Sequence, residues 1–230
     1  MKKIGLIGGL GPASTMAYYK GIIDKYKEKT GKIIHPEIII YSVDMITMTQ
    51  LIDQKRWDVI INQFIDILEI FSKAGIDLAV ITSNTFHQVF DTVYSNTPVP
   101  MLSIVDEACK YIKKSGLRRV LTIGTIFTMK DRLYTDSLEK IGVVSLLPSE
   151  KDQRKIHSLF FPNLQNSVII PEDKEKIITL VNQIIKDQNA DSLLLGCTEL
   201  PLMIKPDDIN IHLIDTMKIH IDSIISYLTT

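Results

Sequence analysis

Cysteine is nearly missing from these 230 residues: only Cys109 and Cys197 occur, far apart in the chain. Two distant cysteines do not make a disulfide framework for a chain of this size, which fits a reducing compartment and a cytoplasmic protein. The five histidines have no close mutual spacing, so there is no metal signature. Neither sign of charge is in excess. With 26 Lys and Arg against 27 Asp and Glu, interspersed, nucleic acid is not an expected partner. No segment reaches the roughly 18 unbroken apolar residues of a membrane span, so no membrane partner is expected either. The opening "MKKIGLIGGLGPAS" imitates a signal peptide, but its apolar stretch is short and broken by Gly5, Gly8, Gly9 and Gly11. These absences leave a soluble, enzyme-sized chain, 45% apolar, able to bury one large core or two small ones.

What is present is an alternation. Short β-rich apolar runs fall near Lys3–Ile7, Glu37–Val43, Leu78–Thr82, Pro100–Leu102, Arg119–Ile123, Gly142–Leu146, Ser192–Leu195 and Ile211–Ile214. Longer amphipathic stretches separate them, among them Trp57–Lys73, Lys130–Lys140 and Asp173–Gln188, with Trp57 expected in the core and Cys109 a buried bystander on a helix. Such alternation predicts an α/β fold of parallel sheets with right-handed crossovers. Ligands collect at the carboxyl ends of strands in sheets of this kind. "GGLGP" after the first strand belongs there, but it lacks the full G-x-G-x-x-G spacing and no P-loop lysine follows.

The chain also repeats itself. "KKIGLIGG" matches "RRVLTIGT", pairing Lys3 with Arg119, and "IDLAVITSNTF" matches "ADSLLLGCTEL", pairing Ser83 with Cys197. Nearly one offset serves both matches, which predicts a duplicated α/β unit of about half the chain. Two similar halves facing each other would bring equivalent strand ends to one ligand. Opposed proton-transfer groups are what inversion at a carbon requires.

Cys197 closes the run "DSLLLGCTELP". Packing is its plain role, since free cysteine is among the most buried residue types. Its position between a strand end and a turn in which Thr198 and Glu199 read as the start of a helix gives it a second role. There a helix dipole would favour the thiolate. Glu199 either orients a neighbouring base or complements that helix start. Asn84 and Thr85, beside Ser83, are either N-caps or substrate contacts. Gly8 and Gly9 either let the backbone approach a ligand or simply make a tight turn.

"KKIGLIGGLGPAST", "YSVD", "SNTFH", "IGTIFTM…Y", "LLLGCTE" and "IDTMKIH" together resemble the aspartate/glutamate racemase family, in the family's order and over nearly the whole chain. The resemblance implies two Rossmann-like, doubly wound domains related by internal pseudo-symmetry, residues 1–98 and 99–209. It puts the active site in the cleft between them and has residues 210–230 returning as a strand and helix to the first domain. It implies a cofactor-independent amino-acid racemase, commonly a homodimer, acting on a small amino acid such as aspartate or glutamate. In the family two cysteines are the opposed bases, in "CNT" and "GCTE". Here Cys197 fills the second place and Ser83 the first, where a subgroup carries threonine. Asn84, Thr85, Thr125, Thr128 and Thr198 match positions that hold the substrate's carboxylate and amino group, and Gly9 and Glu199 join them as substrate contacts. His157 and His220 match family positions too, either as structural hydrogen-bonding residues or as a proton relay, and His87, one turn into the helix after Ser83, reads as a surface or core histidine. Asn163 stands where relatives carry a charged residue, and Ile52 where glutamine is common, so no cationic side-chain partner for an acidic substrate is evident. Two alternatives stay open. One is a single-cysteine decarboxylase or isomerase of the same superfamily, needing one protonation. The other is a non-catalytic amino-acid-binding protein, or a variant whose missing second thiol traps the ligand.

Overall fold

The computed structural model describes residues 2–31 and 34–230. The chain divides into two compact units, Met1–Ser103 with His220–Thr230, and Ile104–Ile219. No helix among the described residues is long and apolar enough to cross a membrane.

In the first unit, β1 (Lys3–Gly8) lies between β2 (Glu37–Ser42) and β3 (Leu78–Ile81), all parallel. Its helices are α1 (Pro12–Thr30), α2 (Met45–Asp53), α3 (Trp57–Lys73) and α4 (Phe90–Tyr94), with a 3-10 turn over Thr85–Val89. α3 forms because Ile60, Phe64, Ile67, Leu68 and Phe71 recur at helical spacing and make one buried stripe. Phe71 lies so close over β1 that a Cβ on Gly5 would stand 2.5 Å from its ring. Each such fully buried apolar side chain contributes about 1.5–3 kcal/mol.

The second unit holds β4 (Arg119–Gly124), β5 (Val144–Leu146), β6 (Ser192–Gly196) and β7 (His212–Asp215) in the order β5-β4-β6-β7, again all parallel. Around this sheet are α5 (Ile104–Ser115), α6 (Ile126–Lys130), α7 (Thr135–Lys140), α8 (Glu150–Phe160), α9 (Pro171–Gln188) and α10 (Leu200–Met203). Strand side chains alternate faces. Leu121, Ile123, Leu193 and Leu195 pack with Ile156 and Phe160 of α8 and Ile177 and Val181 of α9. Val120, Leu194 and Ile214 pack on the other face with Ile104, Ala108 and Ile112 of α5 and Leu138 of α7. A sheet covered on both faces explains why "SLLLG" is apolar without alternation. The last helix, α11 (Thr216–Thr229), starts in this unit, and its residues from His220 onward belong to the first.

The internal repeat reaches down to single hydrogen bonds. Ile7 pairs with Ile81 and Ile123 with Leu195, the partners the two sequence matches set opposite each other. At the other end of each pair an aspartate clamps the neighbouring strand. Asp77 accepts the Lys3 N–H at 2.6 Å, and Asp191 accepts those of Arg118 and Arg119 at 2.8 and 2.9 Å.

Several expectations are corrected. The last strand does not return to the first half: β7 pairs with β6, which, buried on both faces, needs a neighbour along each edge. Only the following helix, from His220, joins the first unit. Pro100–Leu102 is no strand but a single parallel bridge from Met101 to Ala79, since proline cannot donate to a ladder. The stretch Lys130–Lys140 is not one helix: Lys130 ends α6, the chain turns where Arg132 takes a left-handed φ of 54°, and α7 starts only at Thr135. The strand expected from Gly142 starts only at Val144. Trp57 is half-buried rather than core.

Two buried histidines sit in the first unit. His220 donates from Nε2 to the Leu102 carbonyl at 3.1 Å, so its Nδ1 accepts from the Tyr18 hydroxyl at 2.9 Å. His87 donates from Nδ1 to the Ser83 carbonyl at 2.7 Å. Burial pulls both below the ordinary imidazole range, His87 to about 3, with the neighbouring His220 adding to the effect, and His220 to about 4. Both are therefore neutral when folded and must gain a proton to unfold in acid. Because their folded pKa values are depressed, the stability they carry is intact above pH about 6.5 and falls as pH drops toward 4. Each should remove on the order of 1.4 kcal/mol per pH unit in that window. Urea unfolding measured across that range should show this slope, and His220→Gln should reduce it; an unchanged slope in the variant would contradict the assignment.

Candidate active site

The predicted site residues gather at strand carboxyl ends, in two groups that follow the two units. In the first unit, β1 ends at Gly8 and β3 at Ile81, neighbours in register. Gly9 turns the chain with a φ of 78°, and a Cβ there would stand 2.2 Å from the Val43 carbonyl oxygen, so only glycine fits. Its N–H donates to Thr15 Oγ1 at 2.9 Å, and Thr15 Oγ1 donates in turn to the Gly11 carbonyl at 3.1 Å. Thr82 donates from both N–H and Oγ1 to the Ile7 carbonyl, each at 3.1 Å, and its own carbonyl accepts from Ser14 at 2.8 Å. These bonds lock the glycine loop to the end of β3. Ser83, Asn84 and Thr85 follow, all buried, with the Ser83 carbonyl fastened by His87. Asn84 is the N-cap residue of the 3-10 turn, but its side chain makes no cap hydrogen bond.

In the second unit Gly124 pairs with Gly196, so Thr125 and Cys197 leave the sheet side by side. A Cβ on Gly124 would lie 2.7 Å from the Gly196 carbonyl oxygen, and one on Gly196 would lie 3.0 Å from Thr128 Cγ2. Thr125 caps α6, accepting the Thr128 N–H at 3.2 Å, and the two hydroxyls are 3.1 Å apart. Beyond β6 come Cys197, Thr198 and Glu199, exposed by only 7%, 3% and 5%. The Cys197 thiol donates to Glu199 Oε2 at 3.1 Å, and the Thr198 hydroxyl donates to the same oxygen at 3.2 Å. Glu199 Oε1 is buried with no hydrogen-bond partner among the described residues.

This arrangement corrects the expected electrostatics. Thr198 and Glu199 are not the first turn of a helix, although Glu199 is the N-cap residue, without a side-chain cap bond, of the one that follows. α10 begins at Leu200, with Pro201 in its first turn, and runs four residues. Backbone N–H groups of Glu199 and Leu200 do pull the Cys197 pKa down, but burial first and the Glu199 carboxylate second outweigh them. Cys197 therefore holds its proton well above the ordinary thiol range rather than below it. Burial likewise raises the carboxyl of Glu199, against the stabilising bonds from Cys197 and Thr198. Cys109, on α5, is a buried thiol raised to about 11 by burial and by Asp106.

One contributor went unread in the sequence, and one of the histidines read there takes its structural role. Thr15 lies within the quoted "GGLGPAST", yet nothing in spacing alone singles out its hydroxyl as the lock on Gly9. His157 accepts the Ile126 N–H on Nδ1 at 3.3 Å and stacks on Phe161 at 4.7 Å, holding the loop that carries Thr125. Asp77 and Asp191 were present in the matched repeat, which was the signal for them. The structure brings Gly9, Ser83, Asn84 and Thr85 together in one unit, and Thr125, Thr128, Cys197, Thr198 and Glu199 together in the other.

Comparison with known proteins places these strand ends in a lineage. The chain is 34% identical to an aspartate racemase homologue from Pyrococcus horikoshii OT3, the two structures superposing with a TM-score of 0.87 over 100% of both chains. It is 26% identical over 223 residues to the broad specificity amino-acid racemase RacX of Bacillus subtilis (strain 168), covering 93% of this chain and 92% of that protein. A glutamate racemase from Francisella tularensis, solved with D-glutamate, shares the fold at 15% identity, with a TM-score of 0.71 over 99% of this chain and 81% of that one. The profile of the Asp/Glu/Hydantoin racemase family matches residues 7–224, and the chain belongs to that family.

Proposed function

We propose that this chain is a cofactor-independent amino-acid racemase in which Cys197 and Ser83 are the two proton-transfer groups. The observation that carries the reading is a buried thiol hydrogen-bonded to a buried carboxylate at the end of β6, in a chain of this family. An amino acid's Cα–H is a very weak acid, so charge building toward the carboxylate must be met by donors already in place. Asn84, Thr85, Thr125, Thr128 and Thr198 serve that purpose, with Gly9 letting the loop approach. The substrate is a small amino acid, with aspartate and glutamate the first to test, and the working form is a cytoplasmic homodimer. Ser83 is a far weaker acid than a thiol and donates a proton only if a neighbour or water restores it.

A second reading is favoured by that serine. With one thiol, a decarboxylase of a malonate-like diacid needs only a single protonation, and CO₂ release from such an acid would separate the two.

Cys197→Ala should abolish α-proton exchange for every substrate in a folded protein, a loss of at least about 10²–10⁴-fold. Cys109→Ala should cost only packing; a matching loss of exchange there would move the assignment to the other cysteine. Activity should also survive extraction of pyridoxal phosphate and treatment with a chelator, and restoration by one specific metal would overturn the cofactor-independent reading.

In this reading Cys197 serves the α-proton of the L-enantiomer and Ser83 that of the D. Proton NMR in D₂O should therefore show deuterium entering the L-enantiomer faster than the D-enantiomer forms, because return by the same thiol outruns donation by a hydroxyl. Ser83→Cys should bring the two rates together. Equal rates in the parent would show that Ser83, or water it holds, already suffices as the second acid. No exchange with any L-amino acid would favour the decarboxylase or a binding protein.

A further inference from the structure

Glu199 is an unusual carboxylate to bury. The groups that act on it are its neighbours Cys197 and Thr198 and its own backbone N–H, and no cation is among them. Oε2 collects both side-chain donors while Oε1, also buried, collects none among the described residues. A buried charge left partly satisfied is costly, and taking up a proton relieves it. The most acidic proton within hydrogen-bond reach is the one on Cys197 Sγ, 3.1 Å away.

We infer that Cys197 and Glu199 hold one proton between them, so that the thiolate forms by transfer to Glu199 rather than to solvent. In that step the S–H bond breaks, its electron pair stays on sulfur, and an O–H bond forms on Glu199. The pair carries one negative charge before and after. Glu199 is thus a positioning residue that acts through the thiol. The inference rests on the racemase reading only for the use made of the thiolate.

The two tautomers contain the same number of protons, so their ratio does not depend on pH while the pair keeps one proton. A thiol that ionises to solvent instead gains thiolate about tenfold per pH unit below its pKa. Other ionisable groups lie on the surrounding elements. His157 on α8 is tied to the Ile126 N–H, and Asp215 at the end of β7 accepts the Lys218 N–H at 2.9 Å and is raised by burial against the opposing pull of Lys218 and Lys205. Among the described residues, the charge that acts on Cys197 is that of Glu199. His157 and Asp215 therefore form a background common to the parent and any Glu199 variant.

The test uses the full chain carrying Cys109→Ala, so that Cys197 is the sole thiol. Its alkylation by iodoacetamide, followed by mass spectrometry, should change less than about twofold over two pH units around neutrality. In Glu199→Gln the rate should climb about tenfold per unit. The infrared S–H stretch, which needs no reagent to reach the buried sulfur, should lie at low frequency in the parent and move up in Glu199→Gln. Should that variant not fold, the parent's slope and Glu199→Asp, which keeps a carboxylate and should keep a flat profile, decide the matter. A tenfold rise per unit in the parent, or an S–H band indifferent to Glu199, overturns the inference. Neither readout uses an amino acid. A flat profile in a chain that exchanges no α-proton sinks the racemase reading alone, and exchange with a steep profile sinks the shared proton alone.

Discussion

The parallel pairing of a central strand with its neighbour, clamped at its start by an aspartate, is the constraint on which both units depend. Asp77 holds the start of β1 through one backbone N–H and Asp191 the start of β4 through two. With the start fixed, the register runs without a bulge to Ile7–Ile81 and Ile123–Leu195. Ser83 and Cys197 then fall at equivalent points beyond their strands. A one-residue slip would turn each strand's inward residues outward, so the core that buries these strands also fixes where the two chemical groups emerge.

From that shared frame the halves diverge by what they bury next to the emerging residue. Beyond β3 a neutral imidazole, His87, takes the Ser83 carbonyl, and the charge-free arrangement suits a hydroxyl that holds its proton at neutral pH. Beyond β6 a carboxylate takes the Cys197 thiol. The same backbone thus supports two different proton environments, and the difference lies in the residue four positions along in one case and two in the other. Identical placement does not confer identical acidity.

That distinction marks how far the sequence could be read. Periodicity gave the α3 span to the residue, and the repeated "IDLAV" and "ADSLL" runs placed Ser83 and Cys197 at equivalent strand ends, because burial on both faces leaves few other ways to arrange such segments. Pro100–Leu102 reads as a strand by composition, but its proline cannot donate to a ladder. The break at Arg132 follows from a left-handed residue that no pattern of polar and apolar positions reveals. Within the site, residue types were legible and their electrostatics were not. The sign of the Cys197 shift turns first on how deeply the thiol is buried and then on the Glu199 side chain folding back onto the sulfur, which are properties of packing.

The asymmetry of the two groups is bounded by thermodynamics. Enantiomers in water have equal free energies, so a racemase must show equal kcat/KM in the two directions whatever its bases are. A thiol on one side and a hydroxyl on the other can divide that quantity differently between kcat and KM, and can set how often a carbanion is reprotonated on the face it left. Neither can bias the final mixture. In the proposed racemase reading, a thiol at Cys197 and a hydroxyl at Ser83 would suit rapid exchange at one enantiomer with slower inversion better than accumulation of either hand. Selection for net inversion would favour a thiol at Ser83, where the backbone already presents the residue as it presents Cys197.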